Sequence, residues 1–339
     1  MSAFWGSRCT VVPFTLGADA HRDRADMLNC SFHPDLWYDS SIDQTLSKIL
    51  SQIRPEVMWI EYAYLSKAFE LAPPEVVRVL DTIDRFAGRS ERLLQSGVES
   101  MHLVPSFVGD SDELFALQRA DCVVAIQENE AEVFSKLLDR EVWTLGHRTT
   151  LNTLEQKEPA RSTIAFLASE SYVGAANFSY FQHSILPLLC TAMSELQVIV
   201  GGGVSKLLNN IPPEVKVMGA MESEADLFKD ALLAINTDFC ATGISIKNLT
   251  ALGHAMPLVT TPNGARGIEN GAGSAFLLAD SDEDFVNKTI EILSSPERRS
   301  QLGAAAHRYI EKYNERQEKT MQSILQTTEK YLTDSASLR

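Results

Sequence analysis

Between Thr242 and Gly267 the chain reads TGISIKNLTALGHAMPLVTTPNGARG, a glycine turn, a lysine-bearing helix pattern, a buried strand and a second glycine loop in close succession. Gly243 lets the backbone turn sharply ahead of the helix, whose unpaired N-terminal amides and positive dipole end suit an anion. Lys247, on the first turns of that helix, can reach the same anion. These types at this spacing suit the binding of a diphosphate; an ordinary turn before a helix is the alternative reading. Gly201 to Gly203 follow the strand pattern LQVIV, so the amides of Gly202 and Gly203 could approach a phosphate, with a tight turn again the alternative. In VLDTIDRFAGR, residues 79–89, Asp81 and Asp84 stand close enough together to orient hydroxyls or accept a proton if one is poised by its surroundings. The plainer reading is a strand end with solvated acids and an Asp84–Arg89 ion pair. EYAYLS at 61–66 places Glu61, Tyr62 and Tyr64 just past a buried strand, where side chains either meet a cleft or pack as core and rim.

Such residues need a scaffold, and the rest of the sequence predicts one. Short apolar runs rich in β-branched residues alternate with helical patterns, the sign of parallel sheets covered by helices on both faces. Strands are expected near residues 9–14, 57–62, 76–81, 122–127 and 142–146, and again near 163–168, 196–201, 215–218, 232–236 and 258–261. Helical spacing predicts helices over 42–52, 128–138, 178–193, 224–231, 244–255 and 283–293, with a helical tail from 296 to 331, and a loop at 105–112. The polar stretch 148–162 reads as a linker. We therefore expect an α/β chain of two doubly wound Rossmann-like domains, 1–150 and 151–310, facing across a cleft, with a helical tail over 311–339. A ligand site is expected in that cleft, at the carboxyl ends of both sheets.

Read as a whole, the 242–267 segment resembles the donor-binding signature of retaining family 4 glycosyltransferases. The matching residues are Thr242, Gly243, Lys247, Ala251, Pro257, Val259, Thr260, Gly264, Ala265 and Gly267. EYAYLS, VLDTIDRFAGR and ADCVVAIQENEAEVF at 120–134 are similar to the same family, so the resemblance covers nearly the whole chain. It implies the two-domain GT-B fold and a nucleotide-sugar pocket lined by Gly202, Gly203, Met218, Gly219, Thr242, Gly243, Ile244, Lys247 and Thr250. It implies acceptor contacts from Glu61, Tyr62, Tyr64 and Arg89, and catalytic roles for Lys247, Asp81 and Asp84. Glu130 matches a family-typical Glu but reads physically as a first-turn acid that complements the helix dipole.

The chain also departs from that pattern. Thr250 stands where the family has a Glu that accepts hydrogen bonds from ribose, and losing such a charge-assisted bond weakens binding by roughly 1.5 to 3 kcal/mol. Thr242 replaces a charged residue eight positions earlier, and Ile83 replaces a histidine that normally faces the reacting sugar. MSAFWGSRCTVVPF looks like the end of a first helix running into a second strand, so the first βα unit is expected to be absent or truncated.

Composition narrows the partners. With 339 residues and a formal net charge of -15, the chain makes a poor nucleic-acid binder, because that needs clustered Lys and Arg. No run reaches the roughly 18 apolar residues of a membrane span and the start lacks a signal-peptide pattern, so a cytoplasmic protein is expected, with peripheral contact at the inner membrane face through arginines between Arg85 and Arg92 or with a protein partner. Five dispersed cysteines and seven dispersed histidines form no metal-ligand spacing, so reduced, mostly packed thiols and no metal or other cofactor are expected. The expectation is a metal-independent, retaining hexosyltransferase-type glycosyltransferase moving sugar from a nucleotide-diphosphate donor to a glycan, lipid-linked or other acceptor, in cell-surface polysaccharide biosynthesis. The alternatives are a degenerate, inactive glycosyltransferase-like subunit with a binding or scaffolding role and, less well matched, a sugar-phosphate or nucleotide isomerase of the same shape.

Overall fold

The computed structural model describes residues 9, 10, 12, 33–97, 109–152, 161–240 and 242–337. The strand expected at 9–14, the reading of the first βα unit, Cys30 and parts of the expected loop at 105–112 and linker at 148–162 lie wholly or largely outside them.

Two parallel sheets form because the buried runs alternate with helices long enough to cross back over a sheet face. The N-terminal sheet has the order β1-β2-β3-β4, with β1 Val57–Glu61, β2 Val77–Asp81, β3 Cys122–Ala125 and β4 Trp143–Thr144. Its helices are α1 Asp43–Ile53, α2 Arg89–Gln95, α3 Asp110–Leu117 and α4 Glu128–Leu138, joined by a 3-10 helix over Ala63–Leu71. One face packs Phe69, Leu80, Leu117, Val123 and Phe134 into a core.

The C-terminal sheet is built from β5 Ser162–Leu167, β6 Leu196–Gly201, β7 Val215–Gly219, β8 Leu233–Asn236, β9 Leu258–Thr260 and β10 Leu277–Leu278, in the order β10-β9-β8-β5-β6-β7. Counted from β5 this is the 3-2-1-4-5-6 order of a doubly wound dinucleotide-type fold, whose switch point lies between β5 and β8. Helices α5 Tyr172–Tyr180 and α6 Leu186–Ala192 are joined by one wide π turn, Phe181–Ile185, so the helix expected at 178–193 begins earlier. Phe166, Phe178 and Phe181 pack ring against ring on this face. The remaining helices are α7 Ala225–Phe228, α8 Ile246–Gly253, α9 Asp282–Ser294 and α10 Pro296–Ser337. Leu249 and Leu252 of α8 and Ile310 of α10 fill the opposite face.

Helix α10 runs unbroken through residue 311, where the sequence suggested the start of a tail. Its first half packs on the C-terminal domain, and Ile324 then joins Val77, Val79, Cys122 and Val124 on the back of the N-terminal sheet. Among the described residues no helix is long and apolar enough to cross a membrane.

Candidate active site

Strand β5 ends at Leu167, β6 at Gly201 and β8 at Asn236, and the loops leaving these carboxyl ends surround a cavity of about 590 Å³. Its walls include Ser169, Gly202, Gly203, Asp238, Thr242 to Lys247, Thr250 and Asn263, with Arg89 reaching in from the N-terminal domain. Of the expected donor residues, Gly202, Gly203, Thr242, Gly243, Ile244, Lys247 and Thr250 line it. Met218 and Gly219 are not among its lining residues; the Gly219 carbonyl accepts the Gly202 N–H at 3.1 Å and so supports the wall from behind.

Gly202 has φ +96°, and a Cβ there would fall 2.2 Å from the Ala168 carbonyl oxygen, so only glycine lets these two loops meet. At the other wall Gly243 turns with φ +72°, and α8 starts two residues later than the sequence suggested, at Ile246. Its N-cap Ser245 makes no side-chain cap; the hydroxyl instead accepts the Asn236 amide at 3.1 Å. The first-turn amides of α8 thus have no side-chain cap, the condition under which a helix start binds an anion.

Lys247 projects into the cavity with its Nζ 3.4 Å from Asp238 Oδ2. Asp238 is buried; its Oδ1 also accepts the Cys240 N–H and the Asn263 amide, both at 3.2 Å. Sequence reasoning missed Asp238, Ser245 and Asn263, although Asp238 sits just past a predicted strand, the place where site residues of parallel sheets gather. The Thr250 hydroxyl donates to the Ile246 carbonyl at 2.9 Å.

The 82–89 segment departs from the solvated strand end considered for it. Asp84 is paired with Arg89 at 2.8 Å, but it is buried rather than solvated, and it accepts the Thr242 hydroxyl at 2.8 Å across the domain boundary. Burial raises its carboxyl above the usual range, opposed by the Arg89 charge and the Thr242 hydrogen bond. Ile83, in the histidine position of the resemblance, has φ +59°, an unusual conformation for a β-branched residue. Glu113 of α3 is fully buried and accepts the N–H groups of Phe86 at 2.8 Å and Ala87 at 3.2 Å, fixing this loop. Burial pushes its carboxyl up to about 7. Glu130 does lie in the first turn of α4, as expected, and is buried there against Gln127, its carboxyl raised to about 7 by burial and then by Asp84. Gln127 in turn donates to the Gly243 carbonyl at 3.1 Å, a second clasp between the domains.

Asp81 closes β2 and is pushed up to about 6, by burial and by neighbouring Glu61, its register partner in β1. Tyr62 and Tyr64 stack at 5.1 Å, and the Tyr64 ring packs edge-on to Phe86 at 5.6 Å. Glu61, Tyr62, Tyr64, Asp81 and Asp84 are not among the cavity's lining residues; Arg89 is the one member of the expected acceptor set that lines it. Burial pushes the Cys122 and Cys240 thiols up to about 11 and about 12, which keeps them protonated and poor nucleophiles. Among the described residues no His, Cys, Asp and Glu gather in a group that could hold a metal ion.

Residues 161–295 match the family model described as glycosyl transferases group 1. No curated protein matches the sequence. Among solved structures, TarM superposes with a TM-score of 0.67 at 11% identity, over 84% of this chain and 58% of TarM. The chain thus spans less than two thirds of that relative. Sucrose-phosphate synthase from Thermosynechococcus elongatus gives 0.61 at 13% identity over 85% of this chain and 79% of the enzyme. Anabaena HepE, solved with UDP and glucose, gives 0.57 at 12% identity over 84% and 83%. The chain has the GT-B glycosyltransferase fold, two facing parallel-sheet domains, and over 161–295 its C-terminal domain matches the group 1 glycosyl transferases.

Proposed function

We propose that this chain binds a nucleotide-diphosphate sugar in the 590 Å³ cavity and transfers the sugar, with retained anomeric configuration, to a glycan or lipid-linked acceptor in cell-surface polysaccharide assembly. The observation that carries the reading is the convergence of three anion-suited features at the β5/β8 switch point: the Gly202–Gly203 wall, the uncapped start of α8 and Lys247. The volume lies within the range of about 300–1,000 Å³ usual for small-molecule sites. The S. aureus TarM and Anabaena HepE complexes with UDP support a nucleotide donor.

As the bond from the anomeric carbon to the diphosphate oxygen breaks, negative charge grows on the leaving diphosphate. The α8 amides and the Lys247 ammonium meet that charge, an electrostatic stabilisation that needs no metal ion. Asp238 holds the ammonium at the cavity wall. Arg89 would meet the acceptor at the cavity wall, while Glu61, Tyr62, Tyr64, Asp81 and Asp84 lie outside that wall. The protein would act in the cytoplasm, at or near the inner membrane face.

A second reading, a non-catalytic subunit, is favoured by Asp84: its carboxylate is engaged by Arg89 and Thr242 while Ile83 and Thr250 replace the residues expected to touch sugar and ribose. Calorimetric titration with UDP, GDP and their sugar conjugates, without added metal, separates the two. Saturable binding lost in Lys247→Ala, followed by transfer to a supplied acceptor, supports the enzyme; no binding by folded protein would sink the donor-site assignment.

A further inference from the structure

Two acids line the donor cavity, and their surroundings differ. Asp238 is buried and engaged by Lys247, the Cys240 N–H and the Asn263 amide. Glu224 is exposed, and among the described residues its carboxylate meets neither a hydrogen-bond donor nor a cation. Its backbone is nonetheless anchored. Glu224 lies between β7 and α7, and its carbonyl accepts the Leu227 and Phe228 N–H groups at 3.0 and 3.1 Å, with both of those side chains buried in the core. The same loop leans on the end of β6, since a Cβ at Gly201 would fall 2.5 Å from Met221 Cε.

A free carboxylate works against anion binding in a cavity whose other features favour it. Like charges repel, and a carboxylate accepts hydrogen bonds but donates none, so it suits only a part of the ligand that is neutral and offers donors. The diphosphate of a nucleotide donor offers none; the ribose diol and the N–H groups of the base do. The layout of the cavity tells which end of the donor meets Glu224. Arg89 enters from the N-terminal domain, across the cleft through which an acceptor must come, whereas Glu224 follows β7, the edge strand of the C-terminal sheet. The sugar to be transferred therefore points toward Arg89 and the nucleoside toward Glu224.

We propose that Glu224 is a specificity-determining residue for the nucleoside of the donor, its carboxylate accepting from the ribose diol or from a base N–H. The inference rests on the nucleotide-diphosphate reading above; a surface acid with no part in binding is its rival. The test is calorimetric titration of the full chain and of Glu224→Ala, without added metal, with UDP, GDP, their dideoxy forms lacking the ribose diol, their sugar conjugates and inorganic pyrophosphate. The Glu224 side chain is exposed and makes no helix cap, so the variant keeps the wild-type melting temperature. We expect the nucleotide that binds the wild type to bind Glu224→Ala about tenfold more weakly, the loss of one charge-assisted hydrogen bond, while pyrophosphate binds as well as before or better. A loss that vanishes on the dideoxy nucleotide puts the contact at the ribose, and one that persists there puts it at the base. Unchanged nucleotide affinity, an equal fall for pyrophosphate, or a loss confined to the sugar conjugates overturns the proposal while leaving the donor site in place. Wild-type protein that binds no nucleotide sinks the donor-site reading itself, and this inference with it.

Discussion

Replacing Glu113 by glutamine tests whether the loop over 82–89 is held by a buried, proton-keeping acid. In the folded chain the Glu113 carboxyl is raised from its ordinary 4.5 to about 7, chiefly by burial and against the two backbone N–H groups it accepts. The folded protein therefore keeps a proton that the unfolded chain releases near 4.5, and between those values the folded state binds more protons. Stability contributed by this group is complete below 4.5 and is lost as pH rises through 7. At about 1.4 kcal/mol per pH unit the loss amounts to about 3 kcal/mol. Glutamine has the same shape and no charge. Its oxygen accepts one of the two N–H groups while its amide faces the other, so Glu113→Gln is expected to cost about 1 kcal/mol at acid pH. Toward neutral pH the ranking reverses, because the wild type alone pays the charge-burial cost. Urea denaturation of both proteins, from below pH 4.5 to above pH 7, should show their stability difference moving by about 3 kcal/mol in favour of the variant. Asp81 titrates in the same window but is present in both proteins and cancels in the difference, whereas Glu130, which the Glu113 charge helps to raise, is raised less in the variant and so moves the difference in the same direction. A difference that stays flat across that range would refute the reasoning and place water beside the carboxylate.

Gly202→Ala sets a Cβ 2.2 Å from the Ala168 carbonyl oxygen at φ +96°, so we expect a stability loss of about 3 kcal/mol or more and weakened nucleotide binding, read by denaturation and calorimetry. Asp84→Ala strands Arg89 and frees Thr242 from the domain contact; a loss of about 3 kcal/mol is expected, and one near zero would mean the pair contributes no net stability. Lys247→Ala takes the ammonium from buried Asp238, so a lowered melting temperature is expected, together with a drop in nucleoside-diphosphate affinity of at least about tenfold, since a charge-assisted hydrogen bond amounts to about 1.5–3 kcal/mol.

The strands were legible because both sheets are parallel and their strands run through apolar, mostly β-branched stretches; the helix at 128–138 was found at its observed bounds from the spacing of Ala131, Phe134 and Leu138. The start of α5 was not, because Tyr172 to Asn177 carries small and polar residues without helical periodicity. The 3-10 helix at Ala63–Leu71 was likewise missed, hidden behind a segment read only as a strand end. At the site, glycines that permit turns could be read locally, whereas the burial of Asp84 depends on Thr242, 158 residues away. Glu113 follows Asp110 and Asp112 and looks like one more first-turn acid; only the fold shows that it turns inward. Met218 was assigned by resemblance and the tyrosines from their place just past a strand, and neither could show that they lie outside the cavity wall.

Helix α10 has a consequence for how the chain is made. A ribosome finishes the N-terminal sheet long before it reaches Ile324, the residue that covers Val77, Val79, Cys122 and Val124. During the interval these four residues lack the cover that α10 gives them, and an apolar face in that condition is a substrate for chaperones and a risk for misassembly. The last core contacts of both domains thus wait on one C-terminal segment that packs on both. Nascent chains stalled before Ile324 should expose Cys122 to thiol reagents, and chains released with α10 complete should protect it.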